Sequence, residues 1–225
     1  VEKIRSELKD FSHPPLPGIT QKVKKGLVHD IASFPVLFQL LTYPIIRFSY
    51  PNDVEFVNSR VRRNPQESKP AKILPDVYKS PYTSLQARLG LSQMNNVDRD
   101  IKTRIEYAHV YYEGFKDLGE LILPPLRTDG SHTYLWFPVL YSQRDELIRF
   151  MFEQGRDVAA GHFNNTADLS RFEEFYLDCP NSRKVEKELF YLPTYPSYSR
   201  REVERNIKVI RQYFAAKATS TVAVH

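Results

Sequence analysis

A small sheet covered by helices, an α/β or α+β arrangement preceded by a helical segment, is the fold class that the sequence predicts. Three observations carry it. Apolar residues recur at threes and fours over Ile19–Ser33, Pro81–Leu118 and the run after Ser199, which is the period of a helix with one buried face. Short β-rich runs, Thr133–Tyr141 and Phe190–Leu192, lie between such stretches. Proline, glycine and capping residues separate the two kinds of run.

Taken in order, Ile19, Val23, Leu27 and Ile31 repeat at a spacing of four and predict a short helix whose polar face carries Lys22, Lys24 and Lys25. Phe34–Tyr50 is the most apolar stretch. Pro35 and Pro44 interrupt it and it falls short of the roughly 20 residues a membrane span needs, so it reads as a pair of short docked helices. A peripheral contact with anionic lipid is the alternative for this stretch. A further helix is expected over Pro51–Arg63 and an exposed loop over Asn64–Pro75. Pro81–Leu118 reads as one long amphipathic helix with Ser80 and Pro81 as its start, Gly119 as its stop, and a kink at Gly90 or Asn95-Asn96. The strand 133–141 follows. A capping box at Ser142-x-x-Asp145 then opens a helix ending near Gly155. Asp157–Ala160 is expected as a second strand, 164–178 as irregular, Pro180–Leu189 as a helix and 190–192 as a strand. The box Ser199-x-x-Glu202 opens the last helix, with Val203, Ile207, Ile210 and Phe214 inward and a frayed tail from Ala218. The division expected is residues 1–74 as a helical leader and loop, 75–217 as the main domain and 218–225 as tail.

Composition narrows the function. Of 225 residues, 41% are hydrophobic and 26% charged, which is the balance of a globular chain rather than a disordered one. The formal net charge of +5 suits an anionic ligand, but no Arg/Lys block alternates with aromatics, so no nucleic acid is expected. Cys179 is the one cysteine, which excludes an intrachain disulfide and fits a reducing, cytoplasmic setting. The polar opening residues show no signal peptide. Neither G-x-G-x-x-G nor G-x-x-x-x-G-K-[ST] occurs, no serine sits in a G-x-S-x-G elbow, and no histidine pair has metal spacing. No metal is expected.

Two runs carry more information: Tyr78-Lys-Ser-Pro-Tyr-Thr-Ser-Leu-Gln-Ala87 before the long helix, and Leu189-Phe-Tyr-Leu-Pro-Thr-Tyr-Pro-Ser-Tyr198 near the end. Between them stand Gly90-Leu-Ser-Gln-Met-Asn-Asn-Val-Asp98, then Arg104 to Ala108 with Tyr111-Tyr112, and the step Gly155-Arg-Asp157. In order and spacing, from about residue 75 to 215, this set resembles the carboxy-terminal part of the DegT/StrS family of sugar aminotransferases. The span before Pro75 resembles a helical insertion of longer members.

The resemblance implies the small domain of a fold-type I aminotransferase, usually a homodimer with its active sites between subunits. Pyridoxal 5'-phosphate is held covalently by a lysine, and an amino group passes from an amino-acid donor, glutamate, to a keto-sugar nucleotide. In the family that lysine precedes a Gly-Glu-Gly-Gly-like run in the amino-terminal domain. No such run exists here and none of the lysines has that context, so no catalytic residue is expected and the chain alone should be inactive. Many members carry an asparagine, with an arginine two residues on, at the turn before the long helix; the aligned residues here are Lys79 and Pro81. Lys79 remains a candidate for the cofactor phosphate as a point charge. His162, in Gly161-His162-Phe163, falls where the family has a substrate-facing loop, and Tyr78, Ser84 and Arg156 are further substrate candidates. The departures at Lys79 and Pro81 also keep open a second reading, a degenerate homologue acting as a binding or assembly module.

Overall fold

The computed structural model describes residues 16–49, 80–127, 129–156, 158–160 and 163–222, with residues 2, 6 and 11. These fall into two compact units, 16–49 with 80–95, and 96–222. The expected helix over 51–63 and loop over 64–75 lie outside the described residues.

The first unit is helical. Helix α1 spans Leu16–Ser33, three residues longer than its periodicity announced. The chain then turns at Phe34 into a short α2, Pro35–Leu37, a π turn over Phe38–Thr42, and α3, Tyr43–Ser49. The π turn follows from Pro44. A proline has no N–H and its ring clashes with the carbonyl four residues back. Widening the turn lets Tyr43 N–H reach Phe38 O instead, and the helix continues. The Thr42 hydroxyl donates to Ala32 O at 3.1 Å, tying the segment back to α1. Helix α4, Ser84–Met94, completes the unit. It starts later than Ser80 and Pro81 suggested. Thr83 is the cap, its side chain accepting from Gln86 N–H while Gln86 accepts from Thr83 N–H, a reciprocal box that fixes the helix start.

The second unit opens with α5, Val97–Phe115. The expected long helix is therefore broken at Asn95-Asn96, one of its two suspected kinks; Gly90 sits inside α4. Strand β1 is Trp136–Leu140, shorter than 133–141 because Tyr134 adopts φ +45°, which no extended strand allows. Helix α6, Arg144–Glu153, is not opened by the Ser142 box: Gln143 is the cap residue and Asp145 pairs with Arg144 at 2.9 Å. Strand β2 is Ala159–Ala160. Two 3-10 turns, Thr166–Asp168 and Ser170–Phe175, occupy the stretch expected to be irregular. Helix α7 is Pro180–Glu188 with its proline in the first turn, and β3 follows at once as Leu189–Pro193. Helix α8 runs from Arg200 to Val222, so 218–222, expected as frayed, are helical.

The sheet order is β1-β3-β2, antiparallel throughout, with the last strand in the middle. Pro138 is tolerated because β1 is an edge strand, flanked on its far side, among the described residues, only by the bridge Ile122↔Leu140. Phe137 and Val139 of β1 and Phe190 and Leu192 of β3 are buried. So are Tyr111 and Phe115 of α5, Leu147, Ile148 and Met151 of α6, and Val203 and Ile210 of α8. Each buried side chain of this size contributes about 1.5–3 kcal/mol relative to exposure. Helices α5 and α8 meet at Gly114, where an added Cβ would lie 2.7 Å from Ile207 Cδ1. Only glycine permits that approach with Ile207 where it stands.

Candidate functional site

Helix α6 ends in a way that decides where Arg156 goes. Gly155 has φ +72°, its N–H bonds to Phe152 O at 3.0 Å, and Arg156 N–H bonds to Met151 O at 2.8 Å. That is the paired closure of a helix by a left-handed residue, for which glycine carries no steric cost. It delivers Arg156, 9% exposed, into a polar cluster inside the apolar core.

Asn206, fully buried on α8, is the centre of that cluster. Its Oδ1 accepts from Arg156 Nε at 2.6 Å, and its Nδ2 donates to the hydroxyls of Tyr111 and Tyr198, each at 3.0 Å. Tyr111 passes the chain on to Pro193 O of β3 at 3.2 Å. Arg156 also donates through Nη1 to Glu202 Oε2 at 2.6 Å and through Nη2 to the Tyr198 hydroxyl and Glu202 O. Five parts of the unit are thereby joined: α5, the end of α6, β3, the 195–198 turn and α8. Burial pushes the Tyr111 and Tyr198 phenols up, so both stay neutral and can serve as donor and acceptor. Burial alone would raise the Glu202 carboxyl; the hydrogen bond and charge of Arg156, then those of Arg205, outweigh it and hold the group below its ordinary value. Because this carboxylate faces Arg156 and Arg205, the Ser199 box is half made: Ser199 Oγ accepts from Glu202 N–H at 3.4 Å, while the Glu202 carboxylate binds the two arginines.

The segment after Gly161-His162 is clamped from α7. Arg183 donates to both carboxylate oxygens of Asp168, at 2.7 and 3.0 Å, and pairs with Asp178 at 3.0 Å. Asn165 Nδ2 adds a bond to Asp168 at 2.8 Å. The Arg183 guanidinium is the main reason that the Asp168 carboxyl is held below its usual range. Phe175, Tyr176 and Leu177 of this segment are exposed. Just before β1, the Tyr134 backbone is held at its positive φ by three contacts. Its N–H donates to His132 Nδ1 at 2.9 Å, its hydroxyl accepts from Arg127 N–H at 2.7 Å, and its carbonyl accepts from the buried Thr194 hydroxyl at 2.7 Å.

Of the residues singled out from sequence, Arg156 is thus a buried anchor with most of its N–H groups turned to internal partners. Ser84 is exposed at the first turn of α4, one residue past the cap. Tyr78, Lys79 and His162 lie outside the described residues. Asn206, Asp168 and Arg183 had no signal in the sequence, because decisive partners lie far along the chain, Tyr111 95 residues from Asn206 and Asp168 15 residues from Arg183. Among the described residues no group of three or more His, Cys, Asp or Glu could hold a metal ion.

The lysines can be tested against the chemistry of a covalently held cofactor. Such a lysine must be able to lose its proton, which desolvation or a neighbouring cation brings about. Every described lysine except Lys217 is exposed. Lys217 Nζ donates to Glu120 at 2.7 Å and to the Tyr141 hydroxyl at 2.9 Å, and these two bonds raise its pKa rather than lower it. The described residues do not fit a covalent hold on pyridoxal phosphate, and no chemical step is assigned to them.

The described residues thus present a three-stranded antiparallel sheet packed on helices, with a buried arginine hub and a clamped segment. The chain belongs to the DegT/DnrJ/EryC1/StrS aminotransferase family, whose model matches residues 66–211. It is 28% identical over 144 residues to the spore coat polysaccharide biosynthesis protein SpsC of Bacillus subtilis, covering 60% of this chain and 37% of that one. It is 26% identical over 164 residues to the dTDP-3-amino-3,6-dideoxy-α-D-galactopyranose transaminase of Aneurinibacillus thermoaerophilus, covering 72% and 45%. Among solved structures, NtdA of Bacillus subtilis with bound cofactor PMP superimposes with a TM-score of 0.54 at 19% identity, over 69% of this chain and 38% of that one. The chain therefore spans less than half the length of the curated relatives it matches.

Proposed function

We propose that this chain is the carboxy-terminal domain of a pyridoxal-phosphate-dependent aminotransferase that acts on keto-sugar nucleotides in the cytoplasm, and that alone it does not catalyse. The observation that carries the reading is the family match over 66–211 on a fold whose described lysines are unsuited to the covalent role. When bound, pyridoxal phosphate supplies the carbonyl that takes up an amino group and the ring that accepts the electron pair.

In this reading the domain forms one wall of the sugar-nucleotide pocket and part of a homodimer interface. Lys79, just before α4, meets the cofactor phosphate, and Tyr78, Ser84 and His162 face substrate. Arg156 is a positioning residue: it fixes the chain that leads through β2 to Gly161-His162, while the Asp168–Arg183 clamp fixes the segment that follows.

The test is spectroscopic and kinetic. Mixed with pyridoxal phosphate, the chain should show no absorbance band of lysine-bound cofactor and no amino transfer from glutamate to a dTDP-keto-sugar. A band abolished by a single Lys→Ala change would overturn the inactive part of the reading. The departures at Lys79 and Pro81 favour a second reading, a non-catalytic binding module. The reading frame upstream of Val1 separates the two: a lysine followed by a Gly-Glu-Gly-Gly-like run supports the enzyme, and a start codon close by supports the module.

A further inference from the structure

Residues 34–48 expose a run of large apolar side chains. Leu40 is 68% exposed, its neighbour Leu41 60%, and Phe48 68%; Val36, Leu37 and Ile45 are exposed as well. Adjacent helical residues point about 100° apart, so the pairs Val36-Leu37 and Leu40-Leu41 make a broad apolar stripe. A contiguous apolar surface of this kind left in water marks a site for a partner or a membrane. From Phe34 to Ile46 there is no charged residue, and the hydroxyl of Thr42 is bonded to Ala32 O.

The neighbouring helix supplies the charge. Helix α1 exposes Lys22, Lys24 and Lys25 beside Val23, Leu27 and Val28, and Asp30 is the one acid between residues 16 and 49. Clustered lysines beside an uncharged apolar segment complement an anionic bilayer surface, where each basic residue near the surface contributes about 1 kcal/mol. No helix among the described residues is long and apolar enough to cross a membrane. At about 1.5 Å per residue, 34–48 is also shorter than a hydrocarbon core of about 30 Å. We propose that α1 and residues 34–48 form an interfacial lipid-binding element that inserts shallowly into an anionic membrane surface. The inference stands apart from the aminotransferase reading and would survive its failure.

Flotation of the full chain with phosphatidylcholine vesicles, with and without phosphatidylglycerol, tests it. The expected result is flotation with the phosphatidylglycerol vesicles. The exposed triple variant Lys22→Glu, Lys24→Glu, Lys25→Glu should lower that partition on the order of a hundredfold. The double variant Leu40→Asp, Leu41→Asp should abolish it with an unchanged far-ultraviolet dichroism spectrum; should that spectrum change, the triple variant decides. Absence of flotation with anionic vesicles would overturn the proposal, as would flotation that neither variant reduces. A lipid-free oligomer that the double variant converts to monomer, with no flotation, would also overturn it and assign the face to a second copy of the chain.

Discussion

Helices α1–α3 and helices α5 and α8 carry apolar residues at comparable density and end in opposite circumstances. Phe115, Ile210 and Ala108 are fully buried, whereas Leu27, Leu40, Leu41 and Phe48 are more than half exposed. The difference lies in what each pattern meets. In α5 and α8 the apolar face finds the sheet or another helix, and the stripes are bounded by charged residues such as Glu106 and Arg211. In 34–48 the apolar residues form a broad surface that stays exposed. Periodicity therefore states that a segment is helical, while the angular spread of its apolar residues states what kind of surroundings it needs.

Substitutions on the two sides of this contrast should separate cleanly. Phe115→Ala should destabilise the 96–222 unit by about 4 kcal/mol, since a buried aromatic leaves both lost transfer energy and a cavity; urea titration measures it, and a loss below about 1 kcal/mol would contradict the packing described. Asn206→Ala should cost about 3 kcal/mol in the same titration, because Arg156 Nε and the two phenols lose their shared partner inside the core. Gly114→Ala should cost about 1 kcal/mol, with overpacking against Ile207 exceeding the gain in helix propensity. Paired with Ile207→Ala, the same change should cost less than the sum of the two single changes. Leu41→Ala should stay within about 0.5 kcal/mol, as an exposed position does.

The smallest effect is one of pH. Glu202 is held below its ordinary value in the folded chain, so its contribution is present above the unfolded carboxyl value. It is lost as pH falls through the lower folded value. Glu202→Gln should flatten that acid limb in a series of melting temperatures taken from pH 6 down to about pH 2. An unchanged limb would mean that Arg156 does not depend on this carboxylate.

The sequence made the helical and strand runs readable because each is governed by residues close along the chain, three or four apart in a helix and two apart in a strand. The break at Asn95-Asn96 was one of two kinks that the sequence offered, the other being Gly90, which stays inside α4. The start of α4 was misplaced at Ser80-Pro81 because two start signals compete within a few residues, and the reciprocal Thr83–Gln86 pair wins. The Ser142 box failed because Asp145 pairs with Arg144, an outcome that spacing alone does not express. The Arg156 cluster was beyond reach altogether. Arg156 stood out through its Gly155-Arg-Asp157 context, yet its partners come from 42 to 50 residues further along and only the fold assembles them.

The sheet order has a consequence for synthesis. Because β3 lies between β1 and β2 and is the last of the three to be made, the earlier strands have no common partner until Pro193 has left the ribosome. A nascent chain stopped before Leu189 would present Phe137 and Val139 on an unpaired edge, the kind of surface that chaperones bind. Closure of this sheet thus waits for β3, and its vulnerable interval ends with a single five-residue strand.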